Sequence, residues 1–129
     1  METLNVLFIV VTSLASGLVG VIISNRFFIK HERIKFKRDI CLQLIANRND
    51  LKGDEFTKAL NSIIFAFNDD NAVIEKFCIF NDCIMTRNCD LDTSNRNLLM
   101  VIKAMLKHLN MEVKDIDDKY YLITFNPKN

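Results

Sequence analysis

Residues 4–23, LNVLFIVVTSLASGLVGVII, decide how the chain is read. The run is uncharged and dominated by Leu, Val, Ile and Phe. An α-helix rises about 1.5 Å per residue, so roughly 20 such residues match a hydrocarbon core about 30 Å thick. A cleaved signal peptide has positive charge before the run and a small-residue cleavage site after it. Here only Met1-Glu2-Thr3 precede the run, and Ser24-Asn25-Arg26-Phe27-Phe28 follow. Residues 1–24 therefore read as a retained transmembrane anchor.

Immediately downstream, residues 26–38 carry six basic groups, Arg26, Lys30, Arg33, Lys35, Lys37 and Arg38, against the single acid Glu32. Cytoplasmic flanks hold the excess of Lys and Arg. The short N-terminus is thus expected outside and the remainder in the cytosol, at the inner (plasma) membrane of a bacterium. The six cations form a collar that anionic lipid headgroups attract, making membrane lipids the expected contact. Nucleic acid is not expected, because the collar lacks the aromatic platforms of single-strand readers. A reducing cytosol also predicts that Cys41, Cys78, Cys83 and Cys89 are thiols.

The net charge of +1 conceals an asymmetry, since residues 39–129 hold eleven basic and fourteen acidic groups. That length suits one small domain. With no Trp, three Gly and one Pro, hairpins and long irregular loops are disfavoured. The anchor is expected to run on as a basic juxtamembrane helix over residues 25–47, with Ile34, Cys41, Leu44 and Ile45 at helical spacing. Residues 48–129 then form a cytosolic helical domain. A second helix opens near Gly53-Asp54, with Asp54 as N-cap, and presents Phe56, Leu60, Ile63, Ile64 and Phe67. Asn68-Asp69-Asp70-Asn71 breaks the chain and caps a third helix carrying Val73, Phe77, Phe80 and Ile84. A fourth buries Leu98, Leu99, Ile102, Met105, Leu106 and Leu109. Residues 120–125, YYLITF, read as an extended segment laid against the helices. The fold class is all-α: a transmembrane helix continuing into a small bundle, with a short extended C-terminal segment.

Over residues 48–77 a more specific pattern appears. Arg48 stands at a helix end, a link covers residues 51–56, and Lys58-Ala59-Leu60-Asn61-Ser62-Ile63 follows, then Phe67, Asp69 or Asp70, and Val73. With the upstream Gly-containing span and basic rod, this resembles a family of bacterial proteins of unknown function. The resemblance covers most of residues 10–85 and implies one N-terminal membrane helix and a small cytoplasmic domain, but no reaction. Asn61 is expected on a half-buried face, where an amide needs partners. Arg48 and Asn61 therefore read as structural pins between the first two cytosolic helices, or as a partner site.

No chemical motif points to catalysis. Cys78, Cys83 and Cys89 with His108 lack the short paired spacing of structural zinc sites and read as buried thiols. Asp90-x-Asp92-x-Ser94 begins like a calcium loop, but Asn95 and Val101 stand where Gly and a bidentate Glu belong, so a turn and helix cap is expected. Arg26-x4-His31 has a spacing seen in one class of helical ribonucleases, yet its apolar neighbours favour an interfacial Arg and His. No enzyme activity, cofactor or metal is expected.

The span itself offers more. Thr12, Ser16, Gly20 and Ser24 recur every four residues, with Ser13 and Gly17 alongside, a pattern that lets helix backbones approach closely. These residues predict a homo-oligomer. The function expected from sequence is a single-span scaffold or sensor that self-associates or binds a partner protein at the cytosolic face. The alternative is an oligomeric pore-forming effector. By architecture alone, it is similar to small single-span accessory proteins of bacterial antiviral defence systems.

Overall fold

The computed structural model describes residues 1–123 as five helices: α1 (Glu2–Ala46), α2 (Asp54–Ala66), α3 (Asn71–Met85), α4 (Leu91–His108) and α5 (Lys119–Leu122). Among the described residues there is no strand, and the chain is all-α. It divides into two units, Met1–Ile34 and Lys35–Asn129. The second unit takes in the latter part of the basic segment.

Within the first unit, α1 is long and apolar enough to cross a membrane, and none of its most apolar stretch is buried. Leu4, Leu7, Phe8, Leu14 and Leu18 all stand exposed along it.

The second unit is built on the final turns of α1. Ile40, Cys41 and Leu44 form its buried stripe, while Ile34 is partly exposed. After Ala46 the last carbonyls of α1 are met by side chains. Asn47 Nδ2 donates to Gln43 O at 2.9 Å, and Arg48 Nη1 donates to Ile45 O at 2.6 Å. These bonds satisfy groups that a helix end leaves open.

At α2 the cap is Gly53, not Asp54, which is already helical and makes no cap bond. A Cβ at position 53 would lie 2.6 Å from Asp50 Oδ2, an exposed side chain that can turn away, and 3.2 Å from Asp50 O, so the Asp50 turn approaches Gly53 closely. The other caps follow the sequence. Asp70 accepts from Ala72 N and Val73 N at 2.9 and 3.2 Å, and Asp90 accepts from Thr93 N at 2.8 Å. Each satisfies an orphan amide of the first helical turn. Helix α4 closes with Asn110 at φ 54, Asn110 N donating to Lys107 O and Met111 N to Leu106 O. This left-handed C-terminal stop holds His108 on the last turn.

Phe56, Ile63, Phe67, Val73, Phe80, Leu98, Ile102 and Met105 are fully buried at the centre. Ile64 and Ile84 are exposed, so the buried stripes of α2 and α3 are narrower than expected, with Ala59 and Ala66 contributing instead.

The C-terminal segment departs from the extended expectation. Tyr120, Tyr121 and Leu122 form one helical turn, and only Ile123 is extended; Thr124 and Phe125 lie outside the described residues. Local polar bonds override the β-prone composition here. Asp117 accepts from Lys119 N at 3.2 Å, Asp118 pairs with Lys103, and Tyr121 Oη donates to Val113 O at 3.1 Å. Tyr121 and Leu122 then rest against the core.

Removing a buried aromatic ring costs about 3–5 kcal/mol, whereas exposed truncations stay within about 0.5 kcal/mol. Phe80 is 0% exposed and Phe65 is 77% exposed. Urea unfolding of the detergent-solubilised chain, followed by circular dichroism, should therefore show a loss of about 3–4 kcal/mol for Phe80→Ala and almost none for Phe65→Ala.

Candidate functional site

Lys37 lies at positions i−4 and i−7 from Cys41 and Leu44, in phase with the stripe that α1 buries. Its side chain is drawn inward with them and is only 3% exposed. A buried ammonium must find full compensation, because its isolated charge is strongly disfavoured away from water. The turn between α2 and α3 and the last turn of α4 supply it.

Lys37 Nζ donates to Asp69 Oδ1 and Oδ2 at 2.7 and 2.6 Å and to His108 Nε2 at 2.9 Å. All three ammonium donors are thereby used. The Phe67 ring presents its face 5.6 Å from Nζ and meets the His108 ring edge-on, with centroids 5.4 Å apart. Such placement adds a cation–π attraction.

The tautomer of His108 follows from its neighbours. Nδ1 lies 2.7 Å from Asp70 Oδ2, a carboxylate that only accepts, so Nδ1 carries the proton. Nε2 faces an ammonium that only donates, so it presents its lone pair. Asp70 is engaged on both oxygens, with Oδ2 on His108 and Oδ1 on the first amides of α3. The Lys37 hydrogen bond holds the Asp69 carboxyl below the usual carboxylate range. For Asp70, burial pushes the value upward, but the His108 bond and the capping amides outweigh it and leave it lowered.

The arrangement clamps three elements through one cation. It does not present a free acid–base pair, since the donors of Lys37 and both nitrogens of His108 are committed to protein partners. Sequence reading missed Asp69, Asp70 and His108 as a group. The available signal was the phase of Lys37, a cation on an apolar stripe.

Lys37 is therefore not part of a lipid-facing collar. Arg26, Lys30, Arg33, Lys35 and Arg38 are exposed, as is His31. Thr12, Ser13, Ser16, Gly17, Gly20 and Ser24 are also exposed. A Cβ added at Gly17 or Gly20 meets nothing within 4 Å, and Thr12 Oγ1 returns to Phe8 O and Ile9 O at 2.9 and 3.0 Å. Gly17, Gly20, Val21, Ser24, Asn25 and Phe28 line a shallow concavity on this helix.

Arg48 and Asn61 are not brought together. Arg48 bonds Ile45 O and, through Nη2, Ile123 O, while its Nε is buried with no partner among the described residues. Asn61 points outward from α2 and is exposed, contrary to the half-buried expectation. The expectation that Cys78, Cys83 and Cys89 are buried is not met. Cys41 is buried, with burial pushing its thiol up to about 11, whereas Cys78 is exposed and Cys83 and Cys89 are half-buried with their sulfurs side by side. No cluster of metal-ligating side chains occurs among the described residues.

Fold and site together define an all-α protein whose helical domain is locked by a buried lysine and preceded by a helix able to cross a membrane. The chain belongs to a family of unknown function (DUF6680), whose model matches residues 1–122. No curated protein and no solved structure matches it.

Two outcomes are expected of the clamp. Asp69 is 47% exposed at its side chain and Lys37 is nearly dry, so losing either partner has unequal consequences. Asp69→Ala strands an ammonium and should cost about 2–3 kcal/mol in urea unfolding, below the full buried-pair value because Asp69 is half-hydrated. Lys37→Met, which leaves a carboxylate that water can reach, should cost about 1 kcal/mol. The opposite order would refute the assignment.

The second outcome concerns acid. Because the folded carboxylates titrate below the ordinary value of about 3.9, their stabilisation is complete above it and is lost as pH falls through the lowered values. Thermal midpoints should hold down to about pH 4 and drop below it, and drop less steeply in Asp69→Asn.

Proposed function

We propose that this chain is a non-catalytic, single-span scaffold or sensor that self-associates through its membrane helix and presents the clamped domain at the cytosolic face of a bacterial plasma membrane. The observation that carries this reading is the exposed apolar segment within α1, which a lipid environment would cover. Orientation is argued from the cations that follow the apolar run, five of which remain exposed and available to anionic headgroups. The commitment of Lys37 and His108 to each other and to Asp69 and Asp70 favours a structural over a catalytic role.

Self-association is supported by the open concavity along the Gly17, Gly20 and Ser24 face. Thr12, whose hydroxyl is satisfied by its own helix, suits helix contact better than a water-filled lumen, so scaffold is preferred over pore. A partner protein is a further occupant that the domain surface could hold, and no nucleic-acid contact is invoked.

The glycine positions give a clean test. A Cβ added at either position meets nothing within 4 Å, so a change in assembly can be separated from misfolding. Gly17→Leu with Gly20→Leu should lower the protein mass of the detergent-solubilised particle to that of one chain while leaving the circular dichroism spectrum unchanged. An unaltered particle mass would remove this face from the assembly. Depolarisation of vesicles on reconstitution would move the reading to a pore.

A further inference from the structure

Cys83 lies in the last turn of α3, and Cys89 immediately precedes the Asp90 cap of α4. Their Cα atoms are 5.3 Å apart, within the span a disulfide bridges, and their sulfurs face each other in contact. The approach is also supported by bonds that do not involve sulfur. Thr86 N donates to Cys83 O at 3.1 Å, Cys89 N donates to Thr86 O at 3.3 Å, and Thr86 Oγ1 donates to Asp82 O at 2.7 Å. Helix end, turn and cap thus hold the two residues together as a preorganised pair. Both are half-buried, so a small reagent in solution can reach them.

We propose that Cys83 and Cys89 are a reversible dithiol–disulfide site whose oxidant is a low-molecular-mass disulfide of the glutathione class. In the forward direction one cysteine thiolate attacks a sulfur of the small disulfide, giving a mixed disulfide and releasing one small thiolate. The second cysteine thiolate then attacks the protein sulfur of that mixed disulfide. The Cys83–Cys89 bond forms and the second small thiolate leaves. The dithiol loses two electrons and two protons, and the small disulfide gains them as two thiols. Neither Cys41, enclosed in the core, nor Cys78, exposed on another turn of α3, is needed.

The bond acts on a defined surface. Cys89 lines an open cleft of about 460 Å³ together with Leu51, Phe56, Phe80, Leu91 and Ser94. Oxidation adds a covalent tie between this wall and α3; reduction leaves it held by the turn's hydrogen bonds and by the packing of Ser94 and Leu98 in the first turns of α4. The redox state therefore sets how firmly one side of the cleft is fixed.

Tryptic cleavage after Lys76, Arg87 and Arg96 separates the pair, leaving Cys78 and Cys83 on residues 77–87 and Cys89 on residues 88–96. The full chain in detergent is equilibrated in buffers of graded reduced and oxidised glutathione, approached from both directions. It is then quenched with acid, alkylated with a maleimide, digested and weighed by mass spectrometry. The two peptides should become linked as the oxidised share rises and separate again as it falls. Cys78→Ser should keep the link, whereas Cys83→Ser should abolish it and leave glutathione on Cys89. Full alkylation of both peptides in every buffer would overturn the proposal. So would a link that never reduces, a link carried by Cys78, or one found only in disulfide-bonded dimers.

Discussion

An ammonium group almost wholly removed from water constrains this fold more tightly than any apolar contact does. Leu44 or Ile63 can tolerate modest repacking, but Lys37 needs three acceptors in fixed directions. Two come from a carboxylate at the α2–α3 turn, and the third from an imidazole lone pair at the end of α4. That demand propagates. His108 can offer Nε2 only if Nδ1 carries the proton, and Asp70 holds it there while capping α3. The left-handed Asn110 stop ends α4 where the imidazole is required. One buried cation thus links the geometry of a helix start, a helix end and the interior of a third helix.

The elements themselves were largely legible. Apolar spacing located α2, α3 and α4, and Asp70 and Asp90 announced the starts of the latter two, because a cap depends only on residues within one turn. What spacing does not carry is the meeting of polar groups far apart in the chain. Lys37 and His108 are seventy-one positions apart, and ordinary reasoning about charge assigns a lysine in a basic run to solvent. The same limit explains Asn61, whose exposure depends on how wide a stripe α2 buries. Arg48 does bond backbone carbonyls, as its place at a helix end allows, but it does so apart from Asn61.

Short-range competition accounts for the remaining departures. Tyr120-Tyr121-Leu122 has the composition of a strand but no partner strand among the described residues, so the aspartates before it and the reach of Tyr121 to Val113 settle a helical turn instead. Gly53 takes the cap in place of Asp54 because its extended backbone already accepts the first helical bond, from Thr57 N. Cys83 and Cys89, separated by the end of α3 and an ordinary-looking Thr86-Arg87-Asn88 turn, are brought together by how α3 ends.

The withdrawal of Lys37 from the basic run also separates two kinds of electrostatics by their response to ionic strength. The five exposed cations act through water, where mobile ions weaken attraction beyond about 8 Å at physiological salt. The Lys37–Asp69 contact, at 2.6 Å and nearly dry on the lysine side, lies inside that distance and is screened far less. Rising salt would then loosen any hold on anionic headgroups while the domain stays folded. Exposed and buried cations, though written in the same thirteen residues, answer to different features of the medium.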